Sequence, residues 1–163
     1  MKLSAFFLCI PTLLPLVMAS GCSSPQTAAK HAAIVARAVE MRDFNIAVDY
    51  ARPQRMSPRY LSPGYGVRIL GDSIMSDLPF FGVSHRADFY QHESPFCFSA
   101  RMDDYSVEPA RRGGTRVKVS VRNRQERLVY QFLFGTDGMV SLDVVSAERD
   151  NMGYSGALKQ KGD

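Results

Sequence analysis

This chain of 163 residues has too few cysteines for an internal disulfide in its folded part, and it lacks an apolar run long enough for a membrane-spanning helix. It has no tryptophan and three cysteines, which are Cys9, Cys22 and Cys97. The first two fall in an N-terminal targeting region, so the folded part keeps one cysteine and cannot form a disulfide within itself. The longest apolar run, residues 3–18, is interrupted by two prolines and is shorter than the ~20 residues that a spanning helix needs.

A large excess of charge of one sign is also missing. The chain has 20 Lys and Arg against 16 Asp and Glu, which gives a net charge of +4 and a pI near 9.1. The basic residues are scattered along the chain, so charge alone does not favour a nucleic-acid partner, and we expect none. The composition is that of an ordinary globular protein, and the length suits one domain.

The N-terminus has the features of a secretory signal peptide. Lys2 precedes the apolar run, and the small residues 19–21 follow it, as a peptidase site requires. A cysteine directly after such residues is typical of a bacterial lipobox, in which the thiol of Cys22 receives a diacylglyceryl group. Ala19 departs from this pattern, because lipoboxes usually have leucine there. The sequence predicts a signal peptide over residues 1–21 and lipidation of Cys22, with plain secretion as the alternative.

The residues that follow Cys22 bear on the location of the protein. Ser-Ser-Pro-Gln-Thr, residues 23–27, lacks the acidic cluster that directs some lipoproteins to the cell surface. Acyl chains bind a membrane with roughly 0.8 kcal/mol per buried CH₂. We expect an outer-membrane lipoprotein of the bacterial cell envelope that faces the periplasm, with the membrane as its partner through the N-terminal acyl chains.

The mature chain divides into a helix and a long β region. Residues 22–27 are predicted to form a flexible tether. Residues 28–43 are rich in alanine and lack glycine and proline, which favours a helix with Thr27 as its N-cap. The apolar stripe of this helix is thin, so it either lies against the domain or spaces the domain from the membrane. The β domain follows over residues 44–158, and residues 159–163 form a charged tail.

The β region is predicted to fold as an antiparallel meander. Apolar residues alternate with polar ones in FNIAVDY, GYGVRIL, TRVKVSVRN, RLVYQFLF and MVSLDVVS, with short turns between neighbouring segments. The pattern indicates about eight short strands, and it lacks the crossover helices that a parallel sheet needs. The fold class is therefore mainly β, either a barrel or a sandwich, with one N-terminal α-helix.

Several stretches of the chain resemble one known family, the domain of unknown function 4251 family. They are the lipobox, the helix ending in RDFNIAVDY, the block YGVRILGDSIMSDLPFFG, the run VSVRNRQERLVYQFLFGTDGMVSLDV and the terminal YSGAL. Members are small bacterial lipoproteins, mostly of Gram-negative gut-type bacteria. The resemblance covers nearly the whole chain, and the GDS…LPFFG block is its most specific part. It implies a lipocalin-like antiparallel barrel and no established activity, cofactor or catalytic residue.

Side chains that could carry chemistry are concentrated in one stretch, residues 84–97. It contains His85, Asp88, His92, Glu93 and Cys97. The two histidines are seven positions apart, which fits neither a helical pair nor a compact zinc site, so we interpret the stretch as a solvated polar loop. Cys97 lies in an apolar strand with no base in view, and we predict a small packed thiol. No catalytic residue, metal site or cofactor is predicted, and the chain is not expected to be an enzyme.

A basic strand face is the second candidate surface. Arg116, Lys118 and Arg122 lie on one side of a predicted strand, opposite three valines. Such a face suits anions or lipid headgroups. The alternative, which we favour, is a solvated outer sheet face whose charges prevent edge pairing.

Aromatic residues are numerous for one small domain, and they leave two hypotheses open. In the first, the barrel binds a small apolar or amphipathic ligand, and the candidate lining residues are Phe80, Tyr105, Tyr130 and Phe132. In the second, side chains fill the barrel, and the protein is an envelope structural or protein-interaction module without a ligand. The sequence identifies no protein partner.

Overall fold

This computed structural model describes residues 25–85 and 94–159. This part of the chain contains one α-helix and nine strands, joined by loops. Their bounds are α1 Pro25–Glu40, β1 Asp43–Pro53, β2 Arg59–Tyr60, β3 Gly66–Leu70, β4 Ser73–Asp77, β5 Cys97–Pro109, β6 Thr115–Asn123, β7 Glu126–Phe134, β8 Met139–Ser146 and β9 Met152–Leu158. A short 3₁₀ helix, Arg111–Gly113, lies between β5 and β6.

The strands close into a barrel because β1 pairs with both ends of the meander. Strands β3 to β9 follow one another in antiparallel order. β1 pairs with β3 in its first half and with β9 along most of its length. β1 and β3–β9 thus form a closed ring, to which the short β2 adds beside β1. The predicted mainly β, lipocalin-like antiparallel barrel with one N-terminal helix is confirmed.

Glycines allow β1 to be bonded closely on both sides. Ala47 pairs with Gly66 of β3, and Val48 pairs with Gly156 of β9. A Cβ atom at either glycine would collide with a backbone carbonyl of β1. The register with β9 then shifts between Val48 and Tyr50. A bulge of this kind bends a strand, which lets β1 leave β3 and continue along β9.

Side-chain alternation in β6 and β7 sets the core, as the sequence predicts. The inward residues are fully or almost fully buried: Val117, Val119, Val121, Leu128, Tyr130, Phe132 and Phe134. Arg116, Lys118 and Arg122 are exposed on the opposite face. Across the ladders Glu108 of β5 pairs with Arg116, and Arg127 of β7 pairs with Arg122. The face therefore carries charges of both signs, and the solvated sheet face stays a prediction.

The helix covers one end of the barrel, which we call the helix end. Val35 and Val39 belong to the same buried cluster as Phe44, and the Tyr105 hydroxyl donates a hydrogen bond to the Val39 carbonyl at 2.8 Å. The helix therefore lies against the domain. The β3–β4, β5–β6 and β7–β8 turns share this end. Within residues 25–85 and 94–159, no helix has the length and apolar character needed to cross a membrane.

The helix lies earlier in the chain than the predicted range 28–43. It starts at Pro25, inside the predicted tether, and it ends at Glu40. Arg42 has a φ of +49°, and a left-handed residue of this kind terminates a helix. Asp43 already pairs with Leu70 in the barrel. Helix propensity does not locate this end, because the position depends on where pairing with β3 begins.

The segments FCFSA and YSVEP belong to one strand. β5 runs for 13 residues from Cys97 to Pro109. Its pairing with β6 is irregular between Met102 and Asp104. Asp103 and Asp104 both point outward at this bulge, and the extra residue returns Tyr105 to the inward side. The strand therefore continues although the alternation of apolar and polar residues is interrupted.

Candidate functional site

Aromatic rings contact one another through the middle of the barrel. Phe132 stacks on Tyr130 with ring centroids 6.3 Å apart and an interplanar angle of 25°. The edge of Phe44 approaches Phe132 at 5.7 Å, and Phe98 lies 6.3 Å from Tyr130. These separations are those of rings in direct contact. At the centre of the barrel the aromatic faces are therefore occupied by other aromatic side chains.

The polar atoms of the buried tyrosines are hydrogen-bonded within the protein. The Tyr130 hydroxyl donates to Ser76 Oγ at 3.0 Å, and the Tyr154 hydroxyl donates to the carbonyl of Pro79 at 2.8 Å. Among the described residues, no buried side-chain nitrogen or oxygen is without a hydrogen-bond partner. This part of the interior holds no unsatisfied group of the kind that orients a ligand in a pocket.

Burial strongly raises the pKa of Tyr130 and of Tyr154. For Tyr130 the hydrogen bond to Ser76 opposes the effect, and the Glu126 carboxylate adds to it. For Tyr154 the nearby Tyr130 adds to the effect of burial. Both phenols therefore stay protonated in the folded protein above the pH at which an unfolded tyrosine ionises.

Alkaline pH is expected to destabilise the fold through these two tyrosines. The folded-state pKa of each tyrosine lies above the unfolded value of about 10. The contribution of these tyrosines to the free energy of unfolding is therefore fully present below pH 10 and is lost as the pH rises above about 10. Each phenol that stays protonated contributes a loss of about 1.4 kcal/mol per pH unit in the free energy of unfolding. Urea unfolding measured at several pH values above 9 checks this, because Tyr130→Phe should reduce the slope. The matched control, Tyr60→Phe, changes a tyrosine that is 86% exposed. A slope that both variants leave unchanged would contradict the assignment.

The four candidate ligand-binding residues lie at three different positions along the barrel. Tyr130 and Phe132 lie at the centre of the barrel. Phe80 lies at the end opposite the helix, where its ring is 5.3 Å from Phe96. Tyr105 lies at the helix end with the Arg42 guanidinium 4.7 Å above its ring. Burial raises the pKa of Tyr105 to about 12, and the charge of Arg42 opposes this. Ligand binding by these four residues stays a prediction.

Residues 78–85, which we call the strap, lie at the end of the barrel opposite the helix. The Val83 N–H donates to the Asp150 carboxylate at 3.0 Å, and the Asp150 N–H donates to the Val83 carbonyl at 3.1 Å. The His85 N–H donates to the Glu148 carbonyl at 2.8 Å. These bonds attach the strap, which contains the LPFFG motif, to the loop between β8 and β9.

The Asp150 carboxylate joins three segments at this end. Its side chain is 1% exposed, and one oxygen lies 3.1 Å from Nε of Arg55 and 3.4 Å from Nε2 of His85. Arg55 belongs to the β1–β2 loop, and His85 belongs to the strap. A buried carboxylate needs such partners, because burial of an unpaired charge is costly. The arrangement is what we expect of a structural contact that closes the end of the barrel.

A second buried charge pair lies beside the strap. Nε of Arg149 lies 2.9 and 3.1 Å from the two carboxylate oxygens of Glu126, and both side chains are 8% exposed. The Ser146 hydroxyl donates to Glu126 at 2.6 Å, and the Arg149 guanidinium lies 5.9 Å from the centre of the Phe80 ring. The pair connects β7 to the β8–β9 loop and to the strap.

These charged groups are not predicted from the sequence. The alternating segment RLVYQFLF begins at Arg127, whereas β7 begins one residue earlier, at Glu126. The inward alternation of Leu128 and Tyr130, continued two residues back, would place Glu126 on the core side. No comparable signal marks Arg149 and Asp150, because their burial depends on contacts with the strap, which is distant in sequence.

The predicted polar loop is partly outside the described residues, and so are Asp88, His92 and Glu93. His85 contacts Asp150, as described above. The prediction that Cys97 is a packed thiol is wrong, because Cys97 is exposed at the start of β5. Phe98 takes the inward position, which turns Cys97 outward. No group of three His, Cys, Asp or Glu side chains in residues 25–85 and 94–159 could hold a metal ion.

A shallow groove lies on the outer wall beside β1, β3 and β4. Its volume is about 220 Å³, and its lining includes Ala47, Gly66, Arg68, Asp77 and Lys159. Pockets that enclose small ligands are usually ~300 Å³ or larger. The lining also includes the buried Ser76, which accepts the hydrogen bond from Tyr130.

Comparison with known proteins supports the fold and assigns the family. The crystal structure of a DUF4251 family protein from Bacteroides eggerthii DSM 20697 is similar, with a TM-score of 0.60 and 12% sequence identity over 82% of this chain and 91% of that one. At this identity the likeness concerns the fold alone. No curated protein matches the chain. The profile described as Domain of unknown function (DUF4251) matches residues 26–158. This chain therefore belongs to the DUF4251 family.

Proposed function

We propose that this protein is a lipid-anchored component of the bacterial cell envelope that acts through its outer surface. In this proposal it is a structural or protein-interaction module, and its barrel is filled by its own side chains. The observation that carries the proposal is the mutual contact of the interior rings, with Phe132 against Phe44 and Tyr130. Because these faces are already covered, the surface available to a partner is outside the barrel.

The alternative is a barrel that encloses a small apolar or amphipathic ligand. A ligand pocket combines an apolar cavity with a few polar groups that orient the ligand. Tyr130 uses its hydroxyl on Ser76, and Phe80 and Tyr105 lie at opposite ends of the barrel. These contacts disfavour the ligand-binding hypothesis.

Binding of small apolar probes tests the filled interior. We expect no saturable binding of benzene or of a fluorescent long-chain fatty acid to the unmutated protein in calorimetric or fluorescence titrations. Phe132→Ala is the positive control, because a dry cavity lined by apolar side chains binds benzene. Saturable binding to the unmutated chain with an affinity comparable to that of the variant would overturn the filled-barrel proposal.

The anchor is supported by the sequence, in which Cys22 follows the predicted signal peptide over residues 1–21. Mass spectrometry of the protein isolated from membranes of its native host tests it. We expect a mature chain that begins at Cys22 and carries acyl chains, and we expect Cys22→Ser to release the protein from the membrane fraction. A mature chain with an unmodified Cys22 would contradict the anchor and favour plain secretion.

A further inference from the structure

We propose that the helix end of the barrel rests on the membrane surface and that α1 is the main contact element. This inference depends on the proposed anchor at Cys22 and adds an orientation to it. The partner is the lipid surface into which the acyl chains insert. The strap end, with Asp150 and the Glu126–Arg149 pair, then points away from the membrane.

The first support for this orientation is the short length of chain between Cys22 and the helix. Two residues separate Cys22 from Pro25, where α1 begins. An extended chain spans at most about 3.6 Å per residue, so the start of α1 lies within roughly 11 Å of the acylated residue whatever the conformation between them. Because α1 packs on the helix end, this end of the barrel is the one held near the bilayer.

The second support for this orientation is a set of exposed apolar side chains around α1. Ile34 on the outer face of the helix is 40% exposed, and Met41 just after it is 57% exposed. Leu70, Val107 and Met139 are also exposed, and each lies at or near a turn of the helix end. Together these residues give this end an apolar rim of the kind that contacts lipid at an interface. Met56, Tyr60 and Val83 are exposed at the strap end, so it is the short distance from Cys22 that selects the helix end.

The charge of the helix segment fits a lipid surface that carries anionic headgroups. From residue 25 to 42 the segment has three basic residues, Lys30, Arg37 and Arg42, against one acidic residue, Glu40. Arg42 is paired with Asp72 of the β3–β4 turn at 3.1 Å, so Lys30 and Arg37 are the residues that this proposal places against headgroups. Basic residues beside a membrane are attracted to anionic lipids. The helix lacks the large apolar face that would insert it on its own, and in this proposal the acyl chains supply the binding while α1 lies on the surface.

Single tryptophans test the orientation, because the natural chain has none. Ile34→Trp and Met139→Trp report on the helix end, the first from α1 and the second from the barrel itself. Tyr60→Trp is the matched control, since Tyr60 is 86% exposed and β2 pairs with the far half of β1. The acylated full chain is reconstituted into phosphatidylethanolamine–phosphatidylglycerol vesicles that contain brominated lipid, and the acyl chains are verified by mass in each sample.

We expect brominated lipid to quench the helix-end tryptophans about twofold or more above Tyr60→Trp, because interfacial contact brings a side chain to the acyl boundary. If Ile34→Trp does not fold, Met139→Trp decides the result. Equal quenching at both ends, or stronger quenching at Tyr60→Trp, in verified acylated protein would overturn the orientation and leave the anchor intact. Absence of acyl chains on Cys22 would overturn the anchor and the orientation together.

Discussion

Replacement of Phe132 by alanine is expected to lower the free energy of unfolding by about 3–5 kcal/mol, the range for large-to-small changes of buried aromatic residues. Phe132 is 0% exposed, and its ring contacts Phe44, Tyr130 and Phe134. The substitution removes apolar surface from the core and leaves a cavity. The neighbouring rings are fixed on two strands of a closed barrel, β1 and β7, so they can fill little of the space.

The adjacent residue supplies the control for this experiment. Leu133 lies on the outer face of the same strand and is 41% exposed, so Leu133→Ala should change stability by less than about 1 kcal/mol. Urea denaturation of the two variants beside the natural chain measures the difference. Similar small losses in both variants would show that Phe132 faces open space, which the ligand-binding hypothesis requires.

Removal of the Arg149 side chain is expected to cost about 3–5 kcal/mol, the range for a buried ion pair that loses one partner. In Arg149→Ala the Glu126 carboxylate stays almost fully buried, and its remaining hydrogen bond comes from Ser146. The substitution also removes the guanidinium that lies over the Phe80 ring, 5.9 Å from its centre. The strap should therefore loosen, with faster hydrogen exchange at the Val83 N–H.

A double substitution separates the cost of the unpaired charge from the loss of packing. Arg149→Met with Glu126→Gln removes both charges, and we expect it to be more stable than Arg149→Ala because no buried carboxylate is left unpaired. Arg101→Ala is the exposed control: Arg101 lies 3.5 Å from Asp72 with a side chain that is 81% exposed, and pairs of this kind contribute at most about 1 kcal/mol. If Arg149→Ala cost no more than Arg101→Ala, the pair would not be buried as described.

Alternation of side chains predicts the core of this fold well. It places Tyr130 and Phe132 inside and Arg116 outside, because a strand with one buried face has a period of two. It does not distinguish a barrel from a sandwich, since both bury one face of each strand. Closure depends on pairing between β1 and β9, which lie at opposite ends of the sequence, and the family resemblance is what indicates the barrel.

Positions that depend on one residue of register or on distant contacts are not predicted. Cys97 is turned outward by the inward placement of Phe98, and a run such as FCF does not show which residue faces the core. The end of α1 is set by the left-handed Arg42 and by the start of β1. The buried state of Asp150 needs the strap, which is joined to it by a hydrogen bond to Val83.

These observations separate the roles of the two ends and of the interior. The centre of the barrel stabilises the fold through contacts between aromatic rings, and the strap end is closed by buried charge pairs. In the proposals above, the helix end meets the membrane, and the outer wall is the surface available to partners. The proposed function therefore requires an interior that is occupied by the protein's own side chains.

Native mass spectrometry tests this central claim most directly. The protein is extracted with detergent from membranes of its native host, and its mass is measured under native conditions and again after denaturation. We predict equal masses, both corresponding to the chain from Cys22 with its acyl chains. A native mass that exceeds the denatured mass by that of one small molecule would contradict the account and show that the barrel carries a ligand.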